Sequence, residues 1–464
     1  MRASATCELW RILTLMFVIS VGLSACSGGG GETEDQDQLG PVVSATAVAD
    51  LPRPYAVGST HREFVDTTRV TAAGPGRPEA PKRVIDVSIL YPATGAGGRG
   101  PIEDAAPISE GGPFPLVILG HGLGGSVEYL TPLATQWADA GYVVALPTFP
   151  LTHSGTPGGI DGADVQNQPG DISFVIDQVL TETKGNDTML AGMVDLKRIG
   201  VSGHSNGGIT TLGVSANSCC RDKRITASVV LSGSPAPFAD GSYDFDNIPP
   251  IMFVHGVNDQ AVSFNQSADT FNDAASPKAF LVLDKADHID WLDVTSDEFK
   301  IVVRATIDFL DAYLRGDSAA RRSLSEQQLP GVATMRFSPK DSSAVTVETV
   351  PTPETNRKAT ISADTDLADG QTVTVTWSGF LPGKTVNVLQ CVGDGKGGTA
   401  SCGLADGHIL VPDPTGEGSV ELTIQTGPFA NGVCDANNAC TVLINDSGLL
   451  DEDAFRYFPI TLAG

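Results

Sequence analysis

The residues most capable of chemistry in this 464-residue chain are those of the pentapeptide GHSNG at positions 203–207. The apolar stretch 198–202 precedes it and the small-residue run 208–213 follows it, which predicts a strand, a sharp turn and a helix. Glycines two residues before and two after a serine permit a turn that presents the hydroxyl above a sheet. The same turn places it at a helix N-terminus, which favours developing negative charge. Ser205 is therefore predicted to be a nucleophile.

A nucleophilic serine needs a base, and the base needs an acid that orients it. Beyond Ser205, only His288 and His408 leave room for an acid-bearing strand in between, and His408 lies in a separate C-terminal segment. His288 is the predicted base, because it follows the apolar stretch 278–283 in a polar loop. Asp259 is the predicted acid, because it ends the preceding apolar stretch three residues after a glycine.

Other titratable residues near these positions are given structural roles. Asp284 and Asp287 compete for the role of the acid, but Asp287 is adjacent to His288 and would strain to hold its imidazole from beneath. Both are interpreted as solvated loop carboxylates. His204 and His255 are interpreted as structural, because the residue before an elbow serine usually packs under the turn.

The tetrahedral oxyanion of acyl transfer needs two backbone donors. One predicted donor is the amide of Asn206, directly after the nucleophile. The other is the amide of Leu123, because the buried-strand run 115–119 ends in the turn GHGLGG at 120–125, which is typical of the second oxyanion loop.

These motifs resemble the α/β-hydrolase superfamily over residues 90–314, in particular secreted bacterial esterases related to dienelactone hydrolases, platelet-activating-factor acetylhydrolases, chlorophyllases and polyester hydrolases. The resemblance implies ester hydrolysis through an acyl-enzyme, with no cofactor. Dienelactone hydrolases proper use a cysteine nucleophile, so a serine favours an ordinary ester. Polyester and lipid-acting members often carry Met or Phe where Asn206 stands, which leaves the preferred acyl group open.

Strands and helices alternate around these motifs. Strands are predicted at 83–91, 116–119, 141–146, 225–232, 251–254 and 279–283, and helices at 127–140, 171–183, 264–275 and 299–314. This alternation predicts a doubly wound, mostly parallel sheet within a catalytic domain at 51–337. The segment 147–169 has no periodicity and is predicted to be a lid or pocket rim, with Phe149 and His153 as candidate substrate contacts. A plain surface loop is the alternative.

The pattern changes after a polar, proline-bearing linker at 338–358. Short alternating strands at 371–377, 385–390, 419–425 and 440–445 predict an all-β sandwich over 359–464. Together with two short cysteine loops, this segment resembles the neocarzinostatin family of immunoglobulin-like domains. That family sequesters an enediyne chromophore, but fusion to an esterase favours attachment to substrate or envelope, or simple spacing.

The N-terminus predicts export. An apolar run at 12–23, too short to span a bilayer, is typical of a signal peptide over 1–25. It ends in LSAC, which resembles a bacterial lipobox and predicts lipidation of Cys26, followed by a flexible tether over 26–50. A plain secretory signal and an uncleaved anchor are the alternatives. We expect an extracytoplasmic, membrane-anchored lipoprotein.

The cysteines agree with an oxidising compartment. Two close pairs are predicted disulfides; they are Cys391 with Cys402 and Cys434 with Cys440. Cys219 and Cys220 are adjacent, and the sequence does not distinguish a vicinal disulfide from a buried pair of thiols. No cysteine or histidine cluster has metal-ligand spacing, so no metal is expected. The net charge of −26 argues against nucleic acid and against direct adhesion to anionic lipid.

These features predict a lipid-anchored serine carboxylesterase outside the cytoplasm. A lipase, a polyester hydrolase or a phospholipid acetylhydrolase would use the same triad. A lipoprotein that binds a hydrophobic ligand without turnover is the alternative from another class.

Overall fold

The computed structural model describes residues 55–463, except 75–76, 99, 187, 240, 341–344, 351–355, 396–401, 403–407, 430–431 and 447–454. The predicted signal peptide, Cys26 and the tether lie outside the described residues. Within the described ranges, no helix is both long and apolar enough to cross a membrane.

A single mixed sheet carries the residues predicted to be catalytic. Its strands are β1 (Ala56–Asp66), β2 (Arg83–Ala93), β3 (Ile102–Glu103), β4 (Phe114–Gly120), β5 (Val143–Thr148), β6 (Val194–His204), β7 (Ile225–Leu231), β8 (Ile251–Gly256), β9 (Lys278–Leu283), β10 (Gln328–Leu329) and β11 (Ala333–Ser338). Their spatial order is β10-β11-β9-β8-β7-β6-β4-β5-β2-β1-β3. Six neighbouring strands are mutually parallel, namely β9, β8, β7, β6, β4 and β5. Parallel strands end at one edge of a sheet, so the loops after β4, β6, β8 and β9 share that edge.

Helices cover both faces of this sheet. They are α1 (Val127–Asp139), α2 (Gln168–Lys184), α3 (Asn206–Ala216), α4 (Phe264–Asp273), α5 (Asp297–Leu310) and α6 (Ser318–Leu324). Alternate residues of β4 serve opposite layers: Val117 and Leu119 pack with α1 and α5, whereas Leu116 and Ile118 pack with α2. Burial on both faces explains the continuous apolar sequence of the central strands. The predicted doubly wound α/β fold is confirmed.

Five elements of this layer were not predicted from the sequence: β1, β3, β10, β11 and α6. Strand β1 pairs with β2 over its whole length, and β11 pairs antiparallel with β9 at the other side of the sheet, where β10 follows it. Strand β1 has no regular alternation of apolar residues and β10 is two residues long, whereas β11 does alternate Ala333, Met335 and Phe337 with polar residues. The place of all three in the sheet depends on long-range pairing, which a local pattern does not give. Helix α6 is short and also lacks a clear apolar stripe.

Part of the predicted linker packs on the α/β layer formed by the eleven-stranded sheet and its helices. The Val347 side chain is buried beside α4, and the Asn272 side-chain amide exchanges two hydrogen bonds, of 3.0 and 2.9 Å, with its backbone. Two helical turns earlier, the Asn265 amide makes the same paired contact with Val350, at 2.9 and 2.8 Å. The two asparagines lie on one face of α4, so they hold this segment in an extended course along the helix.

The C-terminal segment consists of short antiparallel strands. They are β12 (Lys358–Ile361), β13 (Thr372–Ser378), β14 (Lys384–Val392), β15 (His408–Asp413), β16 (Gly418–Thr423), β17 (Gly427–Phe429), β18 (Gly432–Cys434), β19 (Cys440–Asn445) and β20 (Arg456–Ile460). One sheet has the order β12-β13-β16 and a second has the order β15-β14-β19-β20, while β17 and β18 form a ribbon. Apolar residues of both sheets share one core, as expected for a sandwich.

Three disulfides join the cysteines of the described residues. Both predicted pairs are present, Cys391 with Cys402 and Cys434 with Cys440. The question left open for Cys219 and Cys220 is resolved as a vicinal disulfide just after α3. The disulfide-bonded state agrees with the expectation drawn from cysteine spacing.

Candidate active site

The turn after β6 has the geometry of a nucleophile elbow. Ser205 adopts φ 56° and ψ −118°, a backbone conformation that L-residues rarely occupy. A Cβ atom at Gly203 would overlap the carbonyl of Gly207, and one at Gly207 would overlap the carbonyl of Gly120 on the adjacent strand. Both positions therefore require glycine, which explains the spacing of the motif. The side chain of Ser205 is half-buried at the sheet edge.

The structure brings Asp259 and His288 together from the loops after β8 and β9. Asp259 Oδ2 lies 2.7 Å from His288 Nδ1. Asp287 is turned elsewhere: its Oδ1 accepts hydrogen bonds from the backbone amides of His288 and Gln260, at 2.7 and 2.9 Å. Asp287 thus ties the two loops to each other. The carboxylate that faces the imidazole belongs to Asp259.

Asp259 is held by four groups. Its Oδ1 accepts the backbone amides of Ala261 and Val262, each at 2.8 Å, and its Oδ2 also lies 2.9 Å from His255 Nε2. Burial by itself would raise the pKa of Asp259, but the contacts from His255 and His288 outweigh burial and hold this pKa well below its usual range. The carboxylate therefore remains ionised, and its bond to Nδ1–H leaves Nε2 of His288 as the basic nitrogen.

His255 contacts the Asp259 carboxylate, which the sequence did not predict. It was interpreted as structural, yet its Nε2 points at the carboxylate of Asp259 and at the carbonyl of Val262, 3.1 Å away. Its Nδ1 is buried and has no partner among the described residues. The sequence signal for this contact is its spacing, since His255 is the next-to-last residue of β8 and lies four residues before Asp259.

The peptide that carries the Leu123 amide is fixed through its carbonyl. That carbonyl belongs to Gly122, and it accepts hydrogen bonds from His121 Nδ1 at 2.8 Å and from the Gly125 amide at 3.0 Å. Burial lowers the pKa of His121 to about 4, so its ring is neutral at physiological pH. A carbonyl anchored on one side of a peptide plane aims the N–H on the opposite side.

The neighbouring amides of this loop are already committed. The Gly122 amide donates to the Tyr129 hydroxyl, and the Gly124 amide donates to the Thr152 carbonyl at 2.7 Å. The Leu123 amide between them donates no hydrogen bond within the described residues. A Cβ atom at Gly122 would lie 3.0 Å from Ser205 Cβ, which places this loop directly against the elbow. The geometry thus fits the predicted role of the Leu123 amide.

Asn206 begins α3, so its backbone amide is one of the donors that a helix N-terminus leaves unpaired. Its side chain points into the protein, where Nδ2 donates to Gln168 Oε1 at 3.3 Å. Asn206 is 4% exposed. The Asn206 side chain therefore has a buried polar partner at this position.

A second set of contacts connects the oxyanion loop to the base loop. The Tyr129 hydroxyl, which accepts the Gly122 amide, lies 3.4 Å from His204 Nδ1, and His204 Nε2 lies 3.2 Å from the His288 carbonyl. Burial lowers the pKa of His204 to about 3 and raises the pKa of Tyr129 to about 12, so both are neutral. A neutral His204 donates from Nε2 and accepts at Nδ1. His204 packs under the turn as predicted, and it also connects Tyr129 to the backbone of His288.

The two candidate substrate contacts occupy different environments. Phe149 is fully buried, and its ring packs against Gly120 and the His121 imidazole. The structure therefore contradicts its proposed contact with substrate, because the ring lies in the core beneath the oxyanion loop. His153 is half-buried and forms an isolated β-bridge with Gly125, so it borders the oxyanion loop. The described part of the chain contains no group of acidic, histidine or cysteine side chains arranged for a metal ion.

Comparison with known proteins bears on both parts of the chain. Residues 359–451 match the model of the neocarzinostatin family. The C-terminal resemblance is confirmed. The strand order, the helices on both faces and the strained elbow identify the α/β layer as an α/β-hydrolase fold.

Solved structures include a ferulic acid esterase from Streptomyces cinnamoneus that is similar at 21% identity and a TM-score of 0.44. The similarity covers 57% of this chain and 92% of that esterase. No curated protein matches the chain.

Proposed function

We propose that the protein is a serine carboxylesterase that hydrolyses carboxylic esters through an acyl-enzyme. The observation that carries the proposal is the contact of 2.7 Å between Asp259 Oδ2 and His288 Nδ1, in the loop beside a strained elbow at Ser205. Nucleophile, acid and base occur in the chain order and after the strand ends that this chemistry uses on this fold.

In the first half of the reaction, Ser205 Oγ attacks the ester carbonyl carbon and His288 Nε2 takes the hydroxyl proton. Asp259 stabilises the imidazolium through Nδ1–H. The carbonyl oxygen becomes an oxyanion, which the amides of Leu123 and Asn206 receive. Collapse of the tetrahedral intermediate expels the alcohol, to which the imidazolium returns the proton.

In the second half, His288 removes a proton from water, which attacks the acyl-enzyme. The same two amides receive the second oxyanion. Its collapse releases the carboxylic acid and returns the proton to Ser205. The chain's own side chains supply every proton transfer in this sequence.

The proposal is tested with p-nitrophenyl esters of graded acyl length and a fluorophosphonate probe. We expect hydrolysis of the short-chain esters and covalent labelling at Ser205, located by peptide mass spectrometry. Labelling of another serine, or the absence of both turnover and labelling, would refute the assignment. The chain-length profile distinguishes a carboxylesterase from a lipase.

We further propose that lipid on Cys26 holds the enzyme on the outer side of a bacterial membrane, on the basis of the LSAC sequence at 23–26. Replacement of Cys26 by serine should release the protein from the membrane fraction or leave an unprocessed precursor. Folded material should keep the turnover of the parent protein, because Cys26 lies far in sequence from the triad. Mass spectrometry of the mature N-terminus checks this, and an unacylated Cys26 in the parent protein would contradict it.

The sandwich is proposed to contribute no catalytic residue. A protein truncated after Val350 should therefore hydrolyse p-nitrophenyl acetate at close to the full-length rate. A protein truncated at Pro339 lacks the buried Val347 and the contacts of Asn265 and Asn272, so its Tm should fall by about 3–10 °C. Calorimetry and initial rates measure both effects. Loss of activity in a folded protein that ends at Val350 would mean that the sandwich shapes the pocket.

A further inference from the structure

The two proposed oxyanion donors belong to segments that are far apart in sequence, and a buried glutamine lies between them. The Leu123 amide is in the loop after β4, whereas the Asn206 amide begins α3. Gln168, the first residue of α2, is fully buried. Its carboxamide carries one acceptor and two donors on a single plane.

The Gln168 oxygen contacts the helix of the nucleophile. Oε1 accepts hydrogen bonds from Asn206 Nδ2 and from the Thr210 hydroxyl, which is one turn further along α3. Both partners are nearly fully buried. Since Asn206 supplies an oxyanion amide from the same residue, this contact fixes the first turn of α3 from its side.

The Gln168 nitrogen contacts the segment that supports the other donor. Nε2 donates to the Thr152 hydroxyl at 2.8 Å. The backbone carbonyl of Thr152 in turn accepts the Gly124 amide at 2.7 Å, next to Leu123, and the Ser154 amide donates to the carbonyl of Gly125 at 2.9 Å. One side chain therefore connects both halves of the oxyanion site.

The position of Gln168 is itself rigidly set. Arg83 on β2 is fully buried and forms paired hydrogen bonds of 2.6–2.9 Å with Asp164 before α2 and with Asp171 in its first turn. A support that is fixed to the central sheet can hold two loops at a constant separation.

We propose that Gln168 is a positioning residue that sets the separation of the Leu123 and Asn206 amides, and hence the fit of the site to the tetrahedral oxyanion. This inference rests on the proposed esterase function. A displacement of about 1 Å at such a site costs on the order of 10²-fold in rate. Loss of the link should weaken binding of the transition state and leave binding of the ester itself nearly unchanged.

The test compares Thr152→Val, Gln168→Met and the double variant with the parent protein. Thr152→Val removes only the contact between Gln168 Nε2 and the loop support, while Gln168→Met removes both ends of the link at similar volume. For p-nitrophenyl acetate, we expect kcat to fall by about 10-fold to 10²-fold, with KM changed by less than about 3-fold. Because both changes break one link, the double variant should be no slower than Gln168→Met.

The inhibition constant Ki of a trifluoromethyl ketone is a measurement that a general loss of stability would not change. Ser205 adds to its carbonyl, and the resulting oxyanion occupies the site. Its Ki should rise by the same factor by which kcat/KM falls. The matched control is Thr211→Val, because Thr211 is equally buried on α3 but donates to the Gly207 carbonyl of its own helix. Its Ki should stay within about 2-fold of the parent value.

The outcomes separate this inference from the proposed function. If Ser205→Ala remained active, or if the ketone did not inhibit the parent protein, the esterase assignment itself would fail. If the parent protein were inhibited and Thr152→Val and Gln168→Met kept the parent Ki, with or without a lower Tm, Gln168 would be only a structural residue. Should Gln168→Met not fold, Thr152→Val decides the question by itself.

Discussion

Replacement of Ser205 by alanine should lower kcat for p-nitrophenyl esters by about 10⁶-fold. The reason is the loss of the proposed nucleophilic hydroxyl, which the elbow presents at the carboxyl edge of the sheet with the Ser205 backbone at φ 56°. Alanine is smaller than serine and adds no atom to this turn, so the fold should persist. Initial rates, calorimetry and the loss of fluorophosphonate labelling measure the effect.

A matched control lies three residues earlier. Ser202 is on β6, the strand that leads into the elbow, is fully buried, and its hydroxyl has no partner among the described residues. Ser202→Ala should keep the parent kcat within about 2-fold. A Ser205→Ala protein that retained most of its activity would show that the nucleophile is elsewhere.

Replacement of Asp259 by asparagine should lower kcat by about 10⁴-fold. The two backbone amides at Ala261 and Val262 require an acceptor at the Oδ1 position, so the asparagine NH₂ group would take the place of Oδ2. There it would face His288 Nδ1 and His255 Nε2, which both donate to the native carboxylate. His288 would then have to carry its proton on Nε2, the nitrogen that must accept the proton of the nucleophile.

The control for this variant is Asp287→Asn. Asp287 accepts backbone amides with Oδ1, and an asparagine keeps that acceptor, so kcat should change by only a few-fold. In the parent protein the pKa of Asp259 lies well below its usual range, so the rise of kcat/KM with pH should report ionisation of the base and not of this acid. Full activity in Asp259→Asn together with loss in Asp287→Asn would reassign the acid.

The sequence by itself determined the features that depend on local chemistry. The glycines at 203 and 207 indicate the elbow because a Cβ at either position would overlap a neighbouring carbonyl. Apolar runs followed by polar turns place Asp259 and His288 after strand ends. The adjacency of Asp287 to His288 and the C-terminal position of His408 separate them from the competing residues. The short cysteine spacings predicted two disulfides, which are present. Cysteines that are close in sequence can meet through a short loop, so their pairing depends little on long-range contacts.

Only the tertiary structure decided the contacts between segments that are distant in sequence. His255 was interpreted as structural, and its approach to Asp259 becomes visible only when the turn after β8 is formed. The fully buried Phe149 shows the converse, because nothing local places its ring beneath the oxyanion loop. The part of the linker at 347–350 packs along α4 through asparagines that carry no distinctive pattern.

Gln168 is the clearest example of a residue whose contacts only the tertiary structure shows. A glutamine at the start of a helix is ordinarily a solvated residue, and no spacing relates it to Thr152 or Asn206. Its role depends on three segments that fold to within hydrogen-bond distance of one buried carboxamide. Sequence patterns indicate the local backbone preference of a residue and the apolar periodicity of the element that contains it. The partners of a buried polar group are set by long-range packing, which those patterns do not encode.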